Sequence, residues 1–458
     1  MPPLQTHPQM PPLRTHPSSM IRDLTLPYRL ATGAVRLASP LLSRGGSKVA
    51  RGLAGRRFAH RRLAAWGEAE RDPDRPTAWF HAPSVGEGLQ AQAVMDALRD
   101  RLPGLQVAYT FFSPSAEPLS RRIGADVAAY LPWDLREPIS VSLDAVRPDV
   151  VVFTKTEVWP VLVAEAVRRE IPVAMVGATV TEGSRRARWA ARVLLRPTWS
   201  ALRLVCANSA SDAERLAALG ASAHAIDVTG DPGIDSAAAR FDAADREASY
   251  LKPLLVAPRP TVVAGSTWAA DEAVLLPAMA AVRAAVPDVR LVVAPHEPEA
   301  SNVRALLSAL DDAGWSTATL AGIEKTEDAG DVDAIVVDRV GVLAHLYAAS
   351  SVSYVGGGFH DAGLHSVLEP AAAGTPIVFG PRHRNARAAA DLVTVGGARI
   401  ATDAGELEEI VGTWLRDKTE RDGTADAAAH YIEAHRGAAG RTADRLGLLI
   451  DAPDDPSP

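Results

Sequence analysis

The segment His81-Ala82-Pro83-Ser84-Val85-Gly86-Glu87-Gly88 joins an apolar run to a helical pattern, the place where an open sheet displays its reactive groups. The carboxylate of Glu87 could accept a proton from an attacking sugar hydroxyl there. Ser84 and Glu87 also have the spacing of a capping box, in which a serine begins the helix and a glutamate three residues later bonds back to it. The residues alone leave both roles open for Glu87.

A second charged pair, Lys155 and Glu157, lies directly after the apolar run 149–153 and before Trp159-Pro160. Charged side chains are rarely buried, so their place at the end of a buried strand is unusual. Glu157 could bind an acceptor or anchor its own loop, and the pattern favours the anchoring role.

A glycine run follows the apolar run 352–355 and leads to a helix that we expect to begin near His365 or Ser366. The run consists of Gly356, Gly357 and Gly358. A strand, glycines and a helix in this order present backbone N–H groups to a phosphate. Glu369, one turn into the expected helix, could accept hydrogen bonds from ribose hydroxyls. No Gly-Lys-Ser/Thr follows, so this is not a Walker sequence.

Two more loops are expected at the same edge of the second predicted sheet. Ser266 and Thr267 follow the apolar run 261–265, and His296 follows the run 289–294. Parallel strands end at a common edge, so these side chains would lie near the glycines, where His296 could touch a phosphate or a base. Taken singly, each loop is more typical of a cap than of a ligand site.

The fold class follows from two successive series in which short apolar runs alternate with helical patterns. The runs are 77–81, 107–112, 149–153, 172–176 and 202–206, then 261–265, 289–294, 334–337, 352–355 and 376–379. Such runs predict parallel sheets covered on both faces. The sequence therefore predicts an α/β protein of the GT-B class, with two doubly wound Rossmann-like domains facing across a cleft. Fold alone does not establish the chemistry.

Composition divides the chain further. The expected parts are a disordered extension (1–20), a basic amphipathic membrane-proximal segment (21–65), an N-terminal Rossmann-like domain (66–235), a linker (236–260), a C-terminal Rossmann-like domain (261–450) and a disordered tail (451–458). A chain of 458 residues is too long for one ordinary core, which supports two domains.

The basic segment favours a membrane surface. Between Arg22 and Arg62 it carries ten Lys or Arg residues and one acid, Asp23, and leucines recur among them. A basic amphipathic helix suits an anionic membrane surface. The alternative is a solvated helix that packs on its own domain.

Charge and cysteine content exclude several classes of function. A net charge of −7 argues against general nucleic-acid binding. The single cysteine, Cys206, excludes an internal disulfide and a cysteine metal cluster, and it fits a reducing cytoplasm. The acid pairs Asp72/Asp74 and Asp331/Asp333 are isolated, so we predict no metal site.

Taken together, these segments resemble the Kdo transferases of lipopolysaccharide assembly, which add 3-deoxy-D-manno-octulosonic acid (Kdo) to lipid A. The matching elements include His81-Ala82-Pro83-Ser84-Val85-Gly86-Glu87, Leu131-Pro132-Trp133-Asp134, Thr156-Glu157-Val158-Trp159-Pro160, Gly265-Ser266-Thr267 with Asp271-Glu272, Val355-Gly356-Gly357 and Leu368-Glu369-Pro370. They lie between about residues 77 and 400, in an order similar to that of the family.

The resemblance implies an inverting glycosyltransferase that moves Kdo from CMP-Kdo to a lipid A precursor. It implies a peripheral enzyme on the cytoplasmic face of the inner membrane, with no cofactor and no metal. By position it implies that Glu87 is the general base. It further implies donor-binding residues, namely Ser266, Thr267, His296, Gly356, Gly357, Gly358, His365, Ser366 and Glu369. It assigns acceptor binding to the domain 66–235 and nucleotide-sugar binding to the domain 261–450. The candidates for acceptor binding or structure are Ser84, Lys155, Glu157, Arg185 and Arg186, and the two arginines belong to a basic stretch that could bind substrate anions or form a solvated helix face.

The chain departs from the family pattern at substrate-facing positions. Lys155 stands where the family usually has glutamate, and Thr179 stands where it has arginine. These departures keep open a GT-B transferase that uses a different nucleotide sugar. They also keep open a catalytically degenerate member that binds nucleotide and, less favoured, a nucleotide-sugar 2-epimerase.

Overall fold

The structure is a computed structural model that describes residues 26–45, 47–180, 189–256 and 258–451, with side chains from residue 193 onward in the third range. The chain forms two compact units. The first contains the described residues up to Gly230 together with those from Ala439 onward, and the second contains Asp231–Ala438. The expected disordered extension and tail lie outside the described residues, apart from Asp451.

The first unit is built on a parallel sheet of seven strands in the order β3-β2-β1-β4-β5-β6-β7. The strands are β1 Thr77–His81, β2 Gln106–Phe111, β3 Val127–Tyr130, β4 Val150–Thr154, β5 Val173–Ala178, β6 Leu204–Ala207 and β7 Ile226–Val228. Every residue of β1, β2, β4, β5 and β6 is buried, because helices cover both faces of the sheet.

Nine helices of the first unit precede the second unit in the described chain. They are α1 Leu26–Leu42, α2 Lys48–Arg56, α3 Ala59–Ala69, α4 Val85–Arg101, α5 Glu117–Ser120, α6 Arg136–Val146, α7 Pro160–Val167, α8 Trp189–Ser200 and α9 Ala210–Leu219. Alternate residues of β1 point to opposite faces, so Trp79 packs with α3, α6 and α7, whereas Phe80 packs with α4. The sheet therefore has a core on each side.

The second unit repeats this architecture with strand order β10-β11-β9-β8-β12-β13-β14. Its strands are β8 Thr261–Thr267, β9 Arg290–Pro295, β10 Thr317–Thr319, β11 Ala334–Val336, β12 Val352–Val355, β13 Ile377–Phe379 and β14 Ala398–Ile400. The remaining helices are α10 Pro232–Asp242, α11 Lys252–Val256, α12 Ala269–Ala285, α13 Ala300–Asp312, α14 Leu320–Thr326, α15 Leu343–Leu346, α16 Leu368–Ala372, α17 Arg387–Thr394, α18 Ala404–Arg416, α19 Lys418–His435 and α20 Ala438–Asp451. Two doubly wound parallel sheets confirm the predicted fold class.

Two expected domain boundaries differ from the structure. The segment 236–260, expected to be a linker, forms most of α10 and all of α11, and both helices pack into cores of the second unit. Helix α20 falls within the expected second domain, but Ala443 and Leu446 bury their side chains in the first unit's core. Composition could not reveal this because alanine-rich helices look alike before their partners are known.

The described part of the basic segment is mostly helical, as expected, because α1, α2 and the start of α3 cover all of it except residues 43–45, 47, 57 and 58. Helix α1 leaves large apolar side chains exposed, with Leu30 at 67%, Leu37 at 84% and Leu41 at 65%. Among the described residues, no helix has the length and apolar character needed to cross a membrane.

Candidate active site

Glu87 lies in the first turn of α4, directly after the buried strand β1. Ser84 is the N-cap residue, but its side chain makes no capping hydrogen bond. The Oε2 atom of Glu87 is buried and has no hydrogen-bond partner among the described residues. The predicted capping box is therefore wrong, because neither of its two side-chain bonds forms. The Glu87 carboxylate is left without that structural task.

Lys155 follows β4, the strand next to β1, and its ammonium nitrogen lies 3.5 Å from Oε1 of Glu87. The Lys155 backbone is left-handed, with φ 63°, and its N–H donates to the carbonyl of Val176. Non-glycine residues in this region are uncommon and carry strain, and such residues cluster at functional sites. The pairing of β1 with β4 thus brings the two predicted residues together.

The side chain of Tyr109, on β2, is fully buried close to Glu87. Its hydroxyl has no hydrogen-bond partner in the described part of the chain. Burial, and then the charge of Glu87, raise the pKa of Tyr109, so its hydroxyl stays protonated. Gly88 makes room for it, since a Cβ there would lie 2.7 Å from the hydroxyl. Sequence reasoning missed Tyr109 because nothing in an apolar strand marks one hydroxyl as unpartnered.

His81 is a structural member of this edge. Its Nδ1 lies 3.1 Å from the carbonyl oxygen of Thr110, and its Nε2 accepts the indole N–H of Trp159 at 3.1 Å. We infer from this network that the proton is on Nδ1 and the ring is neutral. Glu157, whose Oε1 lies 4.0 Å from Nε2, therefore shares the edge without forming an ion pair. The Trp159 bond helps to explain the Trp-Pro element of the sequence.

Arg56 stabilises the same edge from α2. It is 6% exposed, donates to the carbonyls of Leu131 and Pro132, and places its guanidinium 4.7 Å from the ring centre of Trp133. Burial lowers the pKa of Arg56 to about 10, so it remains charged at neutral pH. In the sequence Arg56 is only one of several cations of the basic segment, so this role is not predicted from it.

Asp134 holds the start of α7 in place. Its two carboxylate oxygens accept the backbone N–H groups of Val161 and Leu162, at 3.1 and 2.8 Å. Burial raises the pKa of Asp134 to about 6. Asp134 is therefore a helix cap that orients the Trp159-Pro160 turn.

Asp271 organises the glycine loop of the second unit. Its Oδ2 accepts the N–H groups of Gly357 and Trp268, at 2.8 and 2.9 Å. Its Oδ1 accepts the N–H of Phe359 and the hydroxyl of Tyr354, at 3.2 and 3.1 Å. Four donors compensate the burial of a fully enclosed carboxylate. Of the glycine N–H groups that the sequence predicts to face a phosphate, that of Gly357 is thus bound by Asp271.

The glycines allow the loop to pack closely on its neighbours. A Cβ on Gly356 would lie 2.3 Å from the carbonyl oxygen of Ser266, and one on Gly358 would lie 2.4 Å from the nitrogen of Gly380. Gly357 has φ 92°, which other residues rarely adopt. Ser266 itself is left-handed, with φ 57°. These glycines are required by the loop's own structure.

The helix expected to begin near His365 begins later. Helix α16 starts at Leu368 and has five residues, and Ser366 accepts the N–H of Leu368 at 3.3 Å. The preceding loop is held instead by Asn385, whose side-chain amide bonds both backbone groups of Leu364. Tertiary contacts thus replace the predicted first turn of the helix.

Histidines surround Trp268 at the carboxyl edge of the second sheet. The indole stacks on His296 and His360 with ring centres 4.4 and 4.3 Å away, and its N–H donates to Nε2 of His365 at 3.1 Å. Burial, and then the neighbouring His296, lower the pKa of His365 to about 4. His365 is therefore neutral at physiological pH. The sequence predicts no particular role for Trp268 or His360, although a tryptophan just beyond a strand end is a usable signal.

Glu369 and Thr267 both have protein partners. Arg240 of α10 forms an ion pair with Oε1 of Glu369. The Thr267 hydroxyl donates to Oε1 of Glu272 at 2.9 Å, and burial raises the pKa of Glu272. Arg240 was missed because it belongs to the segment expected to be a linker.

Comparison with known proteins identifies the family. A family model described as 3-deoxy-D-manno-octulosonic-acid transferase (kdotransferase) matches residues 56–236. A 3-deoxy-D-manno-octulosonic acid transferase of Bordetella pertussis is 30% identical over 408 residues, covering 85% of this chain and 91% of the relative. The chain belongs to this family. A second relative, from Haemophilus influenzae, is 29% identical over 397 residues, with the same coverage of both chains.

This member of the Kdo transferase family is accordingly a glycosyltransferase, and its fold has solved counterparts. A UDP-GlcNAc 2-epimerase from Neisseria meningitidis aligns with a TM-score of 0.57 at 14% identity, covering 82% of this chain and 99% of that one. A putative UDP-N-acetylglucosamine 2-epimerase from Listeria monocytogenes gives 0.56 at 13% identity, covering 82% and 95%. At such identities the likeness shows the shared fold alone, which confirms the GT-B class.

The predicted site residues of this transferase fall into two groups. Ser84, Glu87, Lys155 and Glu157 lie at the carboxyl ends of β1 and β4 in the first unit. Ser266 and Thr267 are the last residues of β8, and the other predicted donor residues follow β9 and β12, which flank β8 in the second sheet. Arg185 and Arg186 lie outside the described residues. Among the described residues no three His, Cys, Asp or Glu side chains form a group that could hold a metal ion.

Proposed function

We propose that this chain transfers Kdo from CMP-Kdo to a lipid A precursor, with inversion at the anomeric carbon. The observation that carries the proposal is the Glu87 carboxylate at the end of β1. The capping box that would have given Glu87 a structural role does not form. Membership of the Kdo transferase family supplies the substrates.

The proposed reaction is a single displacement. The acceptor oxygen attacks the anomeric carbon, and its proton passes to Glu87. The bond from that carbon to the phosphate oxygen breaks, and CMP leaves with the bonding electrons. One displacement inverts the configuration. A carboxylate held on a rigid helix start is suited to this task, since general-base catalysis depends first on geometry.

We assign donor binding to Ser266, His296, the glycine loop and Glu369. They lie at the carboxyl ends of three neighbouring parallel strands of the second unit or in the segments that follow them, and ligands of open α/β sheets bind at these ends. The N–H groups that Asp271 bonds hold the loop rigid. His365, with its lowered pKa, adds a neutral hydrogen-bonding group to this edge.

We propose peripheral association with the cytoplasmic face of the inner membrane through α1. The exposed leucines of this helix, together with Arg29 and Arg36, suit an anionic interface. Replacing Leu37 and Leu41 with serine should reduce sedimentation with anionic vesicles. Equal sedimentation of the variant and the parent protein would reject this surface.

We further propose that transfer needs no metal, as the isolated acid pairs of the sequence indicate. Cationic side chains and helix termini would stabilise the leaving phosphate. Turnover in excess chelator should equal turnover without it. A loss of turnover that Mg²⁺ restores would reject this part of the proposal.

The central test is an assay of the purified protein with saturating CMP-Kdo and a lipid A precursor. Glu87→Gln keeps the size of the side chain but removes the base, so kcat should fall at least ~100-fold, the usual contribution of a general base. Glu68→Gln changes an exposed carboxylate and serves as the matched control. Absence of Kdo product with the parent protein, or unchanged turnover of Glu87→Gln, would overturn the proposal.

A further inference from the structure

The two oxygens of the Glu87 carboxylate have different surroundings. Oε2 is buried, without a hydrogen-bond partner among the described residues, whereas Oε1 faces the ammonium group of Lys155 at 3.5 Å. The side chain as a whole is 18% exposed. Because Oε2 is enclosed, Oε1 is the oxygen that a substrate hydroxyl can reach. The same oxygen is held by Lys155.

The backbone of Lys155 is fixed in position, whereas its side chain has few contacts. The left-handed backbone and the bond to Val176 fix the position of its Cα. Its side chain is 37% exposed, and the pair with Glu87 is its only polar side-chain contact among the described residues. An ion pair this exposed is weak. A flexible lysine stem can therefore swing the ammonium group to a competing anion.

We propose that Lys155 covers the base of this enzyme until an anionic group of the acceptor displaces it. The inference rests on the proposed function. In the absence of acceptor, the ammonium group occupies the position beside Oε1. When the acceptor binds, its phosphate takes the ammonium group, and the attacking hydroxyl takes the place beside Oε1. One side chain thus couples recognition of the acceptor's charge to exposure of the base.

The ion pair between Lys155 and Glu87 would suppress a side reaction, because water can also attack the donor. In that side reaction a water oxygen attacks the anomeric carbon, and its proton passes to Oε1 of Glu87. The bond to the phosphate oxygen breaks, and CMP leaves with both electrons, so the products are free Kdo and CMP. While no acceptor is bound, an ammonium group beside Oε1 prevents this oxygen from accepting a proton from water.

The ion pair can be observed directly, because the sequence contains only five lysines, Lys48, Lys155, Lys252, Lys325 and Lys418. Reductive methylation with ¹³C-formaldehyde gives each a separate NMR signal, and Lys155→Arg identifies the signal of Lys155. We expect Glu87→Gln to shift it and leave the signal of Lys252, which pairs with Glu247 at 2.8 Å, unchanged. Adding lipid A precursor should also shift it. An unmoved Lys155 signal in Glu87→Gln would overturn the proposal.

A kinetic test measures how strongly Lys155 suppresses hydrolysis of the donor. Lys155→Met should raise release of CMP from CMP-Kdo without acceptor about fivefold, the factor for about 1 kcal/mol from a partly exposed pair. It should also raise the KM for the acceptor. Lys155→Arg should keep hydrolysis low, Lys252→Met should behave as the parent, and adding Glu87→Gln should abolish the excess.

The outcomes separate the two proposals. Unchanged or slower CMP release in Lys155→Met would refute the proposed role of Lys155 without contradicting Kdo transfer. A parent protein that makes no Kdo product would refute the proposed function. In that case the Glu87→Gln arm of the NMR experiment still decides whether Lys155 holds the carboxylate, since it needs no turnover.

Discussion

Replacing Asp271 with asparagine tests whether this buried carboxylate builds the glycine loop. Oδ2 accepts the N–H groups of Gly357 and Trp268. Oδ1 accepts the N–H of Phe359 and the hydroxyl of Tyr354. Asparagine keeps one acceptor oxygen and puts an NH₂ group in the other position. The Tyr354 hydroxyl can turn to accept from it, but at least one backbone N–H then faces another donor.

The expected cost follows from this count. A buried N–H without an acceptor costs about 1–3 kcal/mol, and hydrogen bonds to a charged group are stronger than those to an amide. We therefore expect the loop to lose about 2–4 kcal/mol of local stability. Amide exchange in peptides spanning residues 355–361 should become about 30- to 1000-fold faster by hydrogen-exchange mass spectrometry. The KM for the donor should rise with it.

Asp403→Asn is the matched control for this experiment. Asp403 is the N-cap of α18 and accepts the N–H of Glu406 at 2.9 Å. Asparagine caps helices as well as aspartate does, so the same chemical change should leave exchange near α18 unaltered. If loop exchange in Asp271→Asn stays within about threefold of the parent, a difference below about 1 kcal/mol, the reasoning about Asp271 is refuted.

Three further predictions concern stability. Gly88→Ala should lower the free energy of unfolding by about 1–3 kcal/mol, because its Cβ would meet the Tyr109 hydroxyl at 2.7 Å. Gly86→Ala, with no atom within 4 Å of its Cβ, should be neutral or slightly stabilising, and equal urea midpoints for the two would contradict this. Arg56→Ala should destabilise the first unit by about 2–4 kcal/mol in the same assay, since two carbonyls and three aromatic rings lose their partner. The folded protein keeps His365 neutral down to about pH 4, whereas the unfolded chain protonates it near 6.5. Stability should therefore fall as pH drops from 6.5 to 4, and His365→Gln should reduce this fall in melting curves; an identical pH dependence in parent and variant would argue against it.

The ten apolar runs of the sequence predicted the ten inner strands of the two sheets. These strands are buried on both faces, so nearly every residue in them is apolar, and the pattern is visible without any alignment. The four strands that were missed, β3, β7, β10 and β14, are the four sheet edges. Edge strands are short and half-exposed, and for β10 no residue is fully buried. Their residues therefore resemble those of loops.

Some site residues could likewise be recognised from the sequence, whereas others could not. Glu87, Lys155 and the glycine run could be found because their residue types are unusual directly after apolar runs. The sequence predicts no role for Asp271 as an organiser of the loop, and none for Tyr109. Their roles depend on which donors and acceptors surround them after folding. Spacing along the chain does not contain that information.

The succession of parallel strands and the residue types at their carboxyl ends can be read from the amino-acid sequence alone, since hydrophobic patterns and side-chain chemistry are local properties. Which of these groups are already bonded becomes visible only in the folded chain. The structure shows that Asp271 takes the loop's N–H groups, that Ser84 and Glu87 form no capping box, and that Lys155 faces Glu87. The physical reason is that hydrogen bonds and ion pairs form between groups distant in sequence, and their partners exist only once strands are aligned side by side.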